Sequence, residues 1–286
     1  PADAAMLHTT GATDVNWETL TVKNAVASEK PLTLLENANG INTIGRTGDA
    51  VKSELNTDAT METNIDVVKS GSTVTKLVYE GYTFKGVKGE HAETTDGANT
   101  WGGRSKLGNM TTENEIAVSA HNHTNVYGGW TTGTGSTAAA DKQKNSIANK
   151  VKINGSASVT GAVYGGFTNV VGGKATANEV TIEKNLAANI VGGKSTTGEA
   201  SNNTVNLANA TVSSVTGGEG AATNDNTVNL NGNANVTGAL KGGSAANGTG
   251  NTLNVTGTNN KAGSISGFQK LTFDTTNTDA NPMLQV

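Results

Sequence analysis

From residue 101 onward, short runs in which every second residue is aliphatic alternate with polar, glycine-rich breaks. The sharpest run reads Asn-x-(Val/Ile/Leu)-x-(Ile/Leu/Val). It occurs as Asn114-Glu-Ile-Ala-Val118, Asn149-Lys-Val-Lys-Ile153, Asn178-Glu-Val-Thr-Ile182, Asn203-Thr-Val-Asn-Leu207, Asn226-Thr-Val-Asn-Leu230 and Asn251-Thr-Leu-Asn-Val255. Successive residues of a strand point to opposite faces, so each asparagine and the aliphatic residues two and four places on share a face. The positions between them, such as Thr204 and Asn206 or Thr227 and Asn229, face solvent. A second mark is Gly-Gly, at 102–103, 128–129, 165–166, 192–193, 217–218 and 242–243, with an extra pair at 172–173. Two residues before each of the pairs from 128 onward, the extra pair apart, stands an aliphatic residue: Val126, Val163, Ile190, Val215 and Leu240. Ile265 continues this column ahead of Gly267.

The two marks keep one period, with later intervals of 27, 25 and 25 residues for Gly-Gly and 25, 23 and 25 for the asparagine. A strand with two inward aliphatic residues cannot fold alone, but coils stacked on like coils build continuous apolar columns. The pattern therefore predicts an all-β chain forming a parallel β-helix, a β-solenoid of about 25 residues per coil. The glycine pairs are expected at its corners, where positive φ or close backbone approach is needed. The whole length gives about eleven coils and, at about 4.8 Å per coil, a rod about 50 Å long. The inward asparagines, Asn114, Asn149, Asn178, Asn203, Asn226 and Asn251, are expected to form a ladder in which each amide donates to the next carbonyl one coil away.

Residues 1–100 lack the tandem marks and read as irregular coils with a hairpin insertion. Its strands are expected at 73–80 and 82–88, around a turn at Gly81. Residues 101–286 form the regular rod. The stretch from Trp130 to Asn149 is the largest insertion in the repeat and is expected to project as a loop.

Composition narrows the class. The 286 residues include 37 Gly, 44 Thr and 36 Asn, but only 34% hydrophobic and 15% charged residues. A compact helical enzyme draws far more on both sets. Disorder is opposed by the patterned Val, Ile and Thr and by a net charge of only −4. Two arginines, Arg46 and Arg104, make no basic stripe, so nucleic acid is not an expected partner. No stretch reaches the roughly 18 apolar residues of a membrane helix, so direct membrane insertion by this segment is not expected. The absence of cysteine excludes disulfide staples and thiolate metal sites.

Catalytic and metal chemistry finds little footing. Acidic residues are dispersed, neither arginine belongs to a repeat column, and no enzyme activity or cofactor is expected. His121-Asn-His123 puts two imidazoles on one strand face, a metal clip with too few ligands, and the pair reads as ordinary exposed histidines. The aromatic residues are scarce but gathered: Trp101, Tyr127, Trp130, Tyr164 and Phe167 all flank the first three regular Gly-Gly pairs. Stacked coils would align them into a row that either binds sugar rings or a partner's pocket, or shields the edge of a thin core. The outward Thr-x-Asn pairs would also suit an ice-binding face, but only three coils carry them.

The motifs Val-Tyr-Gly-Gly-Phe (163–167), Asn-Thr-Val-Asn-Leu (203–207) and Ile-Ser-Gly-Phe-Gln-Lys-Leu-Thr-Phe (265–273) resemble the passenger domains of bacterial type V autotransporters. Segments 17–22 and 30–35 are similar to strands of that family too. The resemblance implies a right-handed β-helix exported through the outer membrane to the cell surface. It also implies adhesion, with a host or bacterial surface protein or glycan as partner. The family's membrane barrel has no counterpart in these residues, so translocation is not assigned to them. The leading expectation is an adhesive module, or a stalk presenting an adhesive tip. The alternative is a structural subunit or tandem module that self-associates end to end in an extracellular filament or coat. The phrase at 3–8, ending Met6-Leu7-His8, echoes that at 279–285, ending Met283-Leu284-Gln285. The echo reads either as successive modules of a tandem array or as coincidence.

Overall fold

The computed structural model describes residues 5–22, 32–47, 52–55, 61–85, 91–92, 99–105, 108–133, 144–275 and 281–286. These residues are all-β, without helix, and form a parallel β-solenoid of about eight turns spaced about 26 residues apart. At about 4.8 Å per turn the solenoid rises about 38 Å, shorter than the eleven coils of a uniform repeat. Chain is diverted from coiling early on, where Met61–Ser70 and Thr73–Lys85 pair antiparallel as a long hairpin. Its turn lies at Gly71 and Ser72, with Gly71 at φ 62°, and not at Gly81, which sits inside the second strand. Most of the expected loop after Trp130, residues 134–143, lies outside the described residues.

One sheet contains seven strands among the described residues, all parallel. They are Glu115–Val118, Lys150–Ile153, Glu179–Ile182, Thr204–Ala208, Thr227–Asn231, Thr252–Thr256 and Lys270–Asp274. Its register stacks Ile116, Val151, Val180, Val205, Val228 and Leu253 in one file, and Val118, Ile153, Ile182, Leu207, Leu230 and Val255 in the next. Both files are fully buried. A second sheet, of ten strands, lines up Val126, Val163, Ile190, Val215, Leu240 and Ile265 on the opposite wall. These files meet in one continuous core, and a separate cluster around Trp17, Ile65 and Leu77 fills the N-terminal coils.

The glycine pairs are not corners. They lie inside strands of the ten-stranded sheet, such as Asn122–Thr131 and Ser158–Thr168, and none of the six regular pairs has positive φ. Close approach is their reason. In the first five regular pairs a methyl on the second glycine would meet the inward asparagine of the facing strand, at 2.5 Å from Asn178 Nδ2 for Gly166 and 2.6 Å from Asn203 Nδ2 for Gly193; in the last, on Gly243, it would meet Thr223. A methyl on the first would overlap the carbonyl oxygen of the equivalent glycine one coil on, Gly192 for Gly165 and Gly217 for Gly192. The two sequence marks are thus two sides of one contact, and this is why they keep the same period.

The corner itself precedes the asparagine. Glu113, Ala148, Ala177, Asn202, Asp225 and Gly250 all adopt left-handed backbone, with φ between 55° and 70°. Ion pairs tie coils together on the outside: Lys152 with Glu183 at 2.8 Å, Lys174 with Glu199 at 3.3 Å and Lys194 with Glu219 at 2.6 Å. In each the lysine comes from the earlier coil, so a slip of one coil would lose the match.

The echoing terminal phrases do not occupy equivalent places. Leu7–His8 pairs with Leu32–Glu36 in the eight-stranded sheet, whereas Leu284–Gln285 pairs with Asn260–Ser266 in the ten-stranded sheet.

Candidate functional site

Two constructions stand out, one inside the rod and one on it. Inside, the six inward asparagines form a closed hydrogen-bond system. Nδ2 of Asn114 donates to Oδ1 of Asn149 at 2.7 Å, and the same bond continues through Asn178, Asn203, Asn226 and Asn251 at 3.0–3.1 Å. From Asn149 onward each oxygen also accepts the backbone N–H of the preceding asparagine, as Asn203 Oδ1 does from Asn178 at 3.0 Å. The second amide hydrogen goes to a backbone carbonyl, for example from Asn203 to Ala175 at 3.0 Å. An amide offers two donors and an oxygen with two lone pairs, and this position uses all four. Leucine offers none of them and aspartate no donor. Gln269 closes the file by accepting the N–H of Asn251 at 3.0 Å.

On the surface, Trp101, Tyr127 and Tyr164 fall in one register file, and Arg104, Trp130 and Phe167 in the next. The two glycines between the files carry no side chains, so the flanking groups lean together. Tyr127 stacks on Trp130 with ring centroids 4.4 Å apart and planes 7° from parallel, and on Tyr164 at 5.1 Å and 12°. Phe167 meets Tyr164 and Tyr127 edge-on at 5.5 and 5.8 Å, and Trp101 meets Trp130 edge-on at 6.0 Å. The Arg104 guanidinium lies 4.0 Å over the Trp130 ring and 5.2 Å from that of Trp101.

All five aromatic residues singled out from the sequence are therefore brought into one cluster, but its geometry changes what they can do. A sugar stacks on an open ring face. Here Tyr127, Trp101 and Arg104 are only 7–9% exposed. The face of Trp130 is covered by tyrosine and guanidinium, and that of Tyr127 by two rings. What reaches solvent is a half-buried rim made by Trp130, Tyr164 and Phe167. Burial holds the Tyr164 hydroxyl above its ordinary pKa; the charge of Lys194 opposes the shift and that of Glu219 adds to it.

Arginine was the residue the sequence did not place. Arg46 repeats the arrangement in the first coils, 5.1 Å from the Trp17 ring and 3.3 Å from Asp66 Oδ1. The chain has three tryptophans and two arginines, and every tryptophan packs against one of those arginines. The left-handed corner was missed as well, although Asn202, Asp225 and Gly250 are residues that tolerate positive φ.

The histidines part company. His121 sits at φ 66° before the strand Asn122–Thr131, and His123 is buried in that strand with Nε2 3.1 Å from the Ala120 carbonyl. They do not share a strand face, and only His121 is exposed. Among the described residues no group of three or more His, Asp or Glu is placed to hold a metal ion. The chain matches no protein-family model, no curated protein and no solved structure.

Proposed function

We propose that the chain is a β-helical passenger module of an exported bacterial surface protein, and that it serves as the stalk on which an adhesive region is carried. The observation that carries the reading is the unbroken internal amide file from Asn114 to Asn251, flanked by buried aliphatic files. A stalk must hold its length, and this file couples each coil to the next through hydrogen bonds shielded from water. The aromatic cluster supports a stalk over a sugar-binding face, because the ring faces of Tyr127 and Trp130 are occupied by neighbouring side chains.

Export is tested with antibodies against the 101–286 rod applied to intact cells of the producing bacterium. Surface labelling is expected, and labelling only after lysis overturns the reading. The stalk role is tested on glycan arrays and host cells with the isolated chain. Equal, background binding by the wild type, Trp130→Ala and Tyr164→Ala is expected. Binding that either substitution abolishes would make the cluster an adhesive site instead.

A further inference from the structure

An asparagine followed by glycine is prone to attack by the backbone on its own side chain, because glycine carries no side chain to shield the attacking nitrogen. The chain holds four such pairs, Asn39-Gly40, Asn154-Gly155, Asn231-Gly232 and Asn247-Gly248. Exposure alone would choose the other three, since Asn39, Asn231 and Asn247 are exposed and Asn154 is half-buried. Hydrogen bonding chooses differently. The Gly40 N–H donates to the Asn37 carbonyl at 3.1 Å, that of Gly232 to Thr256 at 2.9 Å and that of Gly248 to Ala245 at 3.2 Å. Among the described residues the Gly155 N–H has no acceptor.

The amide beside it is equally untied. Asn39 Nδ2 is held by the Thr10 carbonyl at 2.9 Å, and Asn149 in the internal file donates both amide hydrogens. Asn154 Oδ1 is buried and accepts no hydrogen bond. A buried unpaired oxygen is costly, so rotation that turns it toward water and brings the amide carbon to the Gly155 nitrogen loses nothing. The peptide group between the two residues stands alone, because the Asn154 and Ser156 N–H groups are bonded to the Val118 and Ser119 carbonyls at 3.1 and 2.8 Å. Gly155, at φ 58°, and Ser156 are exposed, so water reaches this turn between Lys150–Ile153 and Ser158–Thr168.

We propose that Asn154–Gly155 is a self-modification site, at which the folded chain deamidates ahead of its other Asn-Gly pairs. The Gly155 nitrogen gives up its proton to hydroxide and bonds to Asn154 Cγ. The bond from Cγ to Nδ2 then breaks, and Nδ2 leaves as ammonia after taking a proton from water. The product is a cyclic imide. One water opens it: cleavage of the new Cγ–N bond gives aspartate, and cleavage of the original peptide C–N bond gives isoaspartate, linked through the side-chain carbon. Water is consumed, ammonia is released and nothing is oxidised. Where a glycine N–H is bonded to a carbonyl, losing that proton would leave an anion facing the carbonyl oxygen, so those three pairs are held back. The modified turn gains one negative charge while the strands on either side keep their pairing. The inference goes beyond the stalk reading and does not depend on it.

Ageing the whole chain in mildly alkaline buffer tests it, with the peptide carrying each Asn-Gly pair followed by mass spectrometry and isoaspartate detected by enzymatic methylation. The same chain in guanidinium chloride gives the rate that local sequence alone allows. Asn154 should react in the folded chain within about threefold of its unfolded rate, while Asn39, Asn231 and Asn247 slow by at least about tenfold. Asn154→Gln, whose longer side chain must close a less favourable ring, should remove most ammonia release from the folded chain and leave the circular dichroism spectrum unchanged. Folding that protects Asn154 as strongly as the other three overturns the proposal. So does ammonia release from the folded chain that Asn154→Gln leaves unaltered.

Discussion

Asn203 and Asn206 are three residues apart in one coil, both hydrogen-bonded to neighbouring coils, and replacing each by alanine should separate their roles. Asn203 is buried. Its removal deprives the Asn178 backbone N–H and one hydrogen of Asn178 Nδ2 of their acceptor, and the Ala175 carbonyl of its donor. Each buried polar group left unpaired costs about 1–3 kcal/mol, so the three together cost at least about 3 kcal/mol. For a chain of this size that lowers Tm by at least about 6 °C. Asn206 bonds outward, donating to Glu179 Oε1 at 2.9 Å and accepting from Asn229 at 2.7 Å. It is half-buried and water can replace these partners, so Asn206→Ala should cost about 0.5–1 kcal/mol, or about 1–4 °C. Thermal unfolding followed by circular dichroism reads both variants against the wild type. Equal shifts would refute the argument that burial of the inward file, and not amide bonding as such, locks the coils together.

Gly192→Ala should be far worse than an ordinary surface change, because the new methyl overlaps the Gly217 carbonyl and stands 2.9 Å from Asn203 Cβ. A loss of about 3 kcal/mol or failure to fold is expected, and wild-type melting would contradict the close-approach account. Ala177→Gly acts the other way. Left-handed backbone at φ 57° costs a non-glycine residue about 1–2 kcal/mol, against about 0.4–1 kcal/mol for the greater freedom of glycine in the unfolded chain. Tm should rise by up to about 6 °C, and a fall would count against corner strain. Tyr164 keeps its proton to higher pH in the folded state than in the unfolded one. Its contribution is therefore complete below the ordinary tyrosine value of about 10 and is lost as pH rises through the folded value. Urea unfolding between pH 9 and about 11.5 should show a smaller alkaline loss for Tyr164→Phe than for the wild type, and identical loss would remove the effect.

Much of the architecture was legible because a solenoid writes its geometry into one dimension. When each coil contacts only the coils beside it, spatial neighbours become sequence positions one period apart, and Val180, Val205 and Val228 declare their file before any coordinates exist. The inward asparagines share that legibility, since an amide repeated at a fixed step from an aliphatic pair faces the interior by strand alternation alone. The antiparallel hairpin at 61–85 obeys no such period. Its turn follows the pairing of Met61–Ser70 with Thr73–Lys85, and a lone glycine at 81 misled the reading of local punctuation.

By itself, then, the sequence determined the class, the period and which side chains face inward, because these depend on alternation and repetition along the chain. Contacts between coils decided the rest. The Gly-Gly pairs serve a facing asparagine and a neighbouring carbonyl, neither of them adjacent in sequence. Tyr127 and Trp130 spend their faces on neighbouring rings and on Arg104, so proximity in the pattern gave their location but not their availability. His123 is drawn inside while His121 turns the chain. Orientation and access depend on what the next coil places opposite, and only the folded rod supplies that neighbour.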